Sequence, residues 1–159
     1  MKLDKLDVKI LRILQENCKL SAREMASQLD VPITTVYSRI KRMEDSGLIK
    51  GYRALLDPKK IGKGATAFIL ASVAYTDPRR PNIISQREVA EKVSKFPEVQ
   101  EVHIISGDWD LLIKVRAEDV DMVGSFVVDK LRTVEGIEKT LTCMVFNTLK
   151  EETSINLWT

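Results

Sequence analysis

The chain has 159 residues, 44% hydrophobic and 30% charged, with a net charge of +2. This composition excludes a disordered or collagen-like chain, and no apolar run approaches the ~18 residues of a membrane span. The charged opening Met1-Lys2-Leu3-Asp4-Lys5 is unlike a signal peptide, and two distant cysteines, Cys18 and Cys143, with no motif around them fit packing roles in a reduced, cytoplasmic protein.

A first helix is expected from about Asp4 to Glu16. Leu3, Leu6, Ile10, Ile13 and Leu14 form its buried stripe, and Asp4 and Asp7 suit its positive N-terminal end. Ser21 followed by Glu24 is the signature of a capping box. It opens a second helix whose Ala22, Met25, Ala26 and Leu29 share one face. Asp30-Val31-Pro32 breaks the pattern, since Asp tolerates left-handed angles and Pro suits a helix start. A third helix then puts Val36, Ile40 and Met43 on an apolar side and Thr35, Ser38, Arg39 and Arg42 on the other, ending at Gly47. Two short helices joined by a tight turn, the second basic, describe a helix-turn-helix whose hydroxyls and guanidiniums can enter a DNA major groove. Residues 48–56 read as a short strand pair or a single extended segment. This is a candidate wing that offers Lys50 and Arg53 to phosphates.

Residues 57–64, rich in Pro, Gly and Lys, form a linker. The domains expected are therefore 1–56, a helix-turn-helix domain suited to DNA, and 65–159, a second domain. Charge follows this division: residues 1–60 hold 13 basic and 8 acidic side chains, and residues 61–159 hold 12 and 15. The front of the chain is the part suited to a polyanion.

Beyond the linker, residues 65–75 read as a strand and 76–82 as a loop. Residues 85–96 read as a helix with a Ser85–Glu88 capping box and an inner face of Val89, Val93 and Phe96. Residues 99–106 and 109–116 are strands joined by a tight hairpin at Gly107-Asp108. A helix over 119–131 buries Val120, Val123, Val127 and Leu131, and a last strand covers 137–149. The order βαββαβ is the ferredoxin-like arrangement, so the fold class is α+β. Both faces of the first strand are largely apolar, yet two helices cover only one face of a four-stranded sheet. A dimer built by stacking two such sheets is expected.

The ordered set of residues is similar to the Lrp/AsnC (feast/famine) family of transcription regulators across nearly the whole chain. Its pieces are Leu3-Asp4, Asp7, Ile10-Leu11, Ser21, Met25-Ala26, Val31, Val36, Arg39-Ile40, Met43-Glu44, Gly47, Ile49, Gly51-Tyr52, Leu56-Asp57, Ile61-Gly62, and Gly107-Asp108-Trp109-Asp110. The resemblance implies a winged helix-turn-helix joined to a βαββαβ effector domain. It also implies assembly as dimers, tetramers or octamers, and an amino-acid effector held between effector domains. Two departures stand in the turn, where Asp30 replaces the family's usual Gly and Pro32 its usual capping Ser. Both satisfy the same local geometry.

The residues expected at DNA are Ser21, Arg23, Thr34, Thr35, Tyr37, Ser38, Arg39, Lys41, Arg42, Lys50 and Arg53. Arg reads guanine bidentately, and hydroxyls mostly hold phosphates. Two of these have an alternative role: Ser21 as a cap only, and Arg39 as a tie to Glu44 or Asp45. Tyr37 is larger than the family pattern suggests, and either alters base choice or packs along the backbone. The effector corner expected is Gly107, Asp108, Trp109 and Asp110, with Thr140 and Thr142 matching the family's threonines. Asp110 would pair with an ammonium, and amides near Gly107 would hold a carboxylate. Trp109 fits the core equally well, and Thr140 and Thr142 fit an exposed face. His103, the only histidine, is expected at a surface or interface. No metal site, cofactor or membrane partner is expected. An enzyme built like the Lrp-related decarboxylases of haem precursors is the alternative, and it needs positioned acid–base groups that this chain does not bring together in sequence.

Overall fold

A computed structural model describes residues 2–74 and 84–157. They fall into two compact units: one of residues up to Leu55 together with the stretch that begins at Lys150, the other Leu56–Leu149. The stretch after residue 149, which the sequence reading gave to the effector domain, is thus grouped with the N-terminal unit.

The first unit holds α1 (Lys5–Glu16), α2 (Ala22–Leu29) and α3 (Ile33–Asp45). Asp4 caps α1 by accepting from the Leu6 and Asp7 N–H groups, and Asp7 reaches back to the Asp4 N–H at 3.1 Å. Ser21 and Glu24 close the expected capping box on α2. Asp30 ends α2 in the left-handed region at φ 53° and Pro32 precedes α3, so both turn substitutions do what their backbone chemistry allows. Ile10, Met25, Ala26, Val36 and Met43 form the core, with Leu3, Leu6, Ile13, Leu14 and Ile40 packed around it. Residues 48–56 contain no strand, so the expected strand pair does not form there.

The second unit is a four-stranded antiparallel sheet in the order β2-β3-β1-β4, made of β1 (Ala65–Val73), β2 (Val99–Ile104), β3 (Leu111–Ala117) and β4 (Ile137–Met144). One face carries Ala67, Ile69, Ala71, Val73, Leu111, Ile113 and Val115, all buried under α4 (Gln86–Ser94) and the α5 segment (Val120–Ser125). Phe126 stacks edge-to-face on Phe96 at 5.6 Å between centroids. This is the expected βαββαβ arrangement.

Several local expectations need correction. The helix over 119–131 is broken: α5 gives way to a π turn at Phe126–Lys130 and a 3-10 turn at Leu131–Thr133. Its buried stripe is Val123, Phe126, Val127 and Leu131, while Val120 is exposed. Ser85 caps α4 alone, through the Arg87 N–H, without the reciprocal Glu88 bond. The hairpin at Gly107 is longer than two residues. Ile105 N–H donates to Asp110 O at 2.9 Å and closes a four-residue loop, because Asp110 N–H is drawn into the sheet by Ala71 O. Cys18 and Cys143 are exposed and free, not packed. Cys18 lies in the turn after α1, and Cys143 lies on the uncovered face of the edge strand β4. The loop expected over 76–82, and Tyr75 of the first strand, lie outside the described residues.

Candidate nucleic-acid interface and effector corner

The two arginines of α3 do not point freely outward. Arg42 Nη2 lies 2.8 Å from each carboxylate oxygen of Asp7, and Arg39 Nη1 donates to Asp7 at 3.0 Å and also to Asp4. Asp7 is fully buried. A buried carboxylate must be paired, and here two guanidiniums from α3 and an N–H at the start of α1 satisfy it. The Arg39 hydrogen bond and the Asp7 N–H together draw the Asp4 carboxyl down from an ordinary 3.8 to about 2. Asp4, then Asp7, raise the Arg39 guanidinium further. The expected structural tie of Arg39 is therefore present, but to Asp4 and Asp7 of α1 and not to Glu44 or Asp45. The acids at positions 4 and 7 and the arginines at 39 and 42 share an i, i+3 spacing. That match is the signal by which the clamp could have been found in sequence.

At 3.6 residues per turn, Thr34, Tyr37, Ser38 and Lys41 fall within an arc of about 100° on α3, and all four are exposed. Of the expected Thr35–Ser38–Arg39–Arg42 stripe, Ser38 and Arg42 are exposed and Thr35 and Arg39 are half-buried. Thr35 is half-buried, and the Ser38 hydroxyl bonds back to Thr35 O at 3.0 Å. Tyr37 is 67% exposed. Arg23, Lys50 and Arg53 are exposed as well. Ser21 is occupied with its cap, since its hydroxyl bonds Glu24 at 2.7 Å. Tyr52, next to Arg53, donates to Glu44 at 2.9 Å. Partial burial and then that carboxylate push its phenol up to about 12.

In the second unit Gly107 has φ 122°, a conformation that favours glycine, and Gly107 and Asp108 are exposed. Trp109 is half-buried and lies in the loop, not in β3. Asp110 accepts from the Val73 N–H at 2.7 Å and from the Gln86 side-chain amide. Its carboxylate thereby holds the end of β1 and the start of α4 in place, partners the sequence reading missed. Thr140 pairs with Ala71 and Thr142 with Ile69, so both lie on the helix-covered face, one strand beyond β1. Leu111 pairs with the same Ala71 from the other side. The loop and Thr140 therefore sit at one level of the sheet, two strand spacings or roughly 10 Å apart. Arg132, also not anticipated, donates to Thr140 at 3.3 Å.

On the uncovered face, register aligns His103, Leu112, Leu70 and Leu141 in one row and Glu101, Lys114, Phe68 and Cys143 in the next. His103 is exposed and 3.3 Å from Glu101. Lys114 bonds Glu101 at 3.1 Å and holds its carboxyl below the usual range. Among the described residues, no three His, Cys, Asp or Glu side chains converge as metal ligands, and no helix is long and apolar enough to cross a membrane.

A trihelical unit with a tight-turned basic helix, joined in one chain to a βαββαβ unit, defines a helix-turn-helix DNA-binding protein with a second, α+β domain. Family models agree on both parts: a winged helix-turn-helix DNA-binding model matches residues 3–50, and the Lrp/AsnC ligand binding domain matches residues 66–155. The chain is 44% identical over 150 residues to an HTH-type transcriptional regulator of Pyrococcus abyssi, covering 94% of this chain and 97% of that one. It is 35% identical over 153 residues to HTH-type transcriptional regulator FL11 of Pyrococcus furiosus, covering 96% and 95%. A transcriptional regulator of Neisseria meningitidis, solved in complex with L-Met, superposes with a TM-score of 0.87 at 31% identity, covering 98% of this chain and 97% of that one. The chain belongs to the Lrp/AsnC family. It is a DNA-binding transcription regulator with a ligand-binding domain, and its relatives are regulators, not enzymes.

Proposed function

We propose that the chain is a cytoplasmic regulator that pairs through its sheet, reads double-stranded DNA with the outer face of α3, and changes that binding when a free amino acid occupies the effector corner. The observation that carries the reading is the division of labour on α3. Arg39 and Arg42 are spent on Asp7, and Thr34, Tyr37, Ser38 and Lys41 are left outward. Arg23, Lys50 and Arg53 supply phosphate contacts, and the positive N-terminal end of α2, where Ser21 caps, favours an anion. Arg39 and Arg42 stabilise the fold of the unit through Asp7 and do not read bases.

The uncovered sheet face, apolar at Phe68, Leu70, Leu112 and Leu141 with the Glu101–Lys114 pair next to Phe68, suits a second copy of itself. A dimer sets two recognition helices about one DNA turn apart. Higher assemblies are tetramers or octamers of the same kind. The amino-acid class is supported by the L-Met complex of the Neisseria meningitidis relative. Gly107 and Asp108 offer exposed backbone, Trp109 a wall, and Thr140 and Thr142 hydroxyls. Asp110 holds this corner through Val73 and Gln86. Calorimetry of the full chain against the twenty amino acids, repeated with DNA from upstream of its own gene, tests the reading. The expected result is saturable binding of at least one amino acid and a changed DNA affinity in its presence, both lost in Asp110→Ala. If no amino acid binds, the effector reading is wrong.

A further inference from the structure

The stretch after Leu149 leaves the sheet domain and is grouped with the first unit. It lies along α1 and is held there by its backbone. Ile155 N–H donates to Gln15 Oε1 at 2.6 Å, and Gln15 Nε2 donates to Ile155 O at 3.0 Å. One primary amide thus matches both backbone groups of one residue, as a neighbouring strand would. Two residues on, Arg12 Nε donates to Leu157 O at 2.9 Å, and Nη2 donates to the same oxygen. Contacts at alternate residues mean an extended chain with one edge turned to α1. Ile155 is 70% exposed, and the contacts to Gln15 are made by its main chain. The polypeptide therefore joins its two units twice, once at residues 55–56 and again at residues 149–150.

The docking of Ile155 and Leu157 on α1 is weak. Hydrogen bonds between exposed groups contribute modestly, and ordering several residues opposes them on a comparable scale. The stretch is covalently attached, so it competes well for its own dock.

We propose that Arg12 and Gln15 form a backbone-reading dock for the segment Ile155–Leu157 of the same chain, and that its opening and closing governs how the ligand state of the effector domain reaches the helix-turn-helix. The second half of this proposal rests on the effector reading above; the dock does not.

The test uses the full chain and Gln15→Ala. Amide exchange at Ile155 should speed up by about tenfold or more in the variant, with exchange at Ile10 in the α1 core unchanged as proof of folding. Unchanged Ile155 exchange overturns the dock. A spin label on Cys18, in a Cys143→Ser background, should broaden the Ile155 and Leu157 signals equally whether or not unlabelled-spin subunits are mixed in. Loss of broadening on mixing assigns the segment to a second copy and overturns the same-chain assignment. In DNA binding, the ratio of affinities with and without the responding amino acid should fall at least about threefold toward one in Gln15→Ala. A ratio equal to wild type overturns the coupling. A wild-type chain that responds to no amino acid refutes the effector reading and the coupling with it, while the dock still stands or falls on Ile155 exchange.

Discussion

Neutralising Asp7 separates a clamp from a groove reader. Asp7→Asn keeps the side-chain shape but removes the charge that Arg39 and Arg42 share. Breaking a buried ion pair by removing one partner costs about 3–5 kcal/mol. Here the stranded groups are arginines whose side chains are 25% and 50% exposed, so water recovers part of that, and about 2–3 kcal/mol is the expected loss. Arg42→Ala should cost less, about 1–2 kcal/mol, because Asp7 keeps Arg39 and the Asp4 N–H. For a unit this small, roughly 4–8 °C of melting temperature is lost per kcal/mol. Thermal unfolding followed by circular dichroism, with DNA affinity measured below the lowest transition, gives both quantities on the same variants. The expected pattern is a large fall in melting temperature for Asp7→Asn, a smaller one for Arg42→Ala, and little loss of affinity in either while folded. An Arg42→Ala protein that melts like wild type but binds DNA at least tenfold more weakly refutes the reasoning and returns Arg42 to the groove.

Three further outcomes are expected. Lys41→Ala should weaken binding to all duplexes alike and reduce the salt slope by about one, with the melting temperature unchanged; fluorescence anisotropy across a salt series measures this, and an unaltered slope removes Lys41 from the interface. Asp4 has a folded value near 2 against an ordinary 3.8, so its contribution to stability is complete above about pH 4 and is lost as the pH falls toward 2; acid unfolding of Asp4→Asn should lack that part of the pH dependence, and a curve parallel to wild type denies the Asp4–Arg39 pair any weight. Gly136 has φ 98°, and a Cβ there would lie 2.8 Å from methyls of Ile84 and Val89, so Gly136→Ala should destabilise the sheet domain by about 2–3 kcal/mol, read from denaturant melts; a loss under about 0.5 kcal/mol contradicts the close packing at that turn.

Much of the fold was legible because local chemistry and long-range packing agree. Ser21 and Glu24 predict a cap and form it, and Asp30 predicts a left-handed turn and takes φ 53°. The strand alternation of Ala67, Ile69, Ala71 and Val73 predicts the buried face. The α3 surface was less legible. Periodicity shows which residues avoid the core but not that an acid on another helix will claim two of them, so Asp7 read as a helix-end charge until its burial was known. At Asp110 the sequence pointed to the right corner but not the role, because the demand of the Val73 N–H for a carboxylate arises only when β1 and β3 are side by side. The break of the 119–131 helix into a π turn has no sequence signal that we can identify.

The central claim is that this chain holds DNA by charge and reads it with an outward helix face. Competition of a specific upstream duplex against a scrambled one, by anisotropy between about 50 and 200 mM salt, over which the Debye length roughly halves, tests it most directly. We expect affinity to fall steeply with salt and the specific duplex to win by at least about a thousandfold. A flat salt response with no preference between the duplexes would contradict the account.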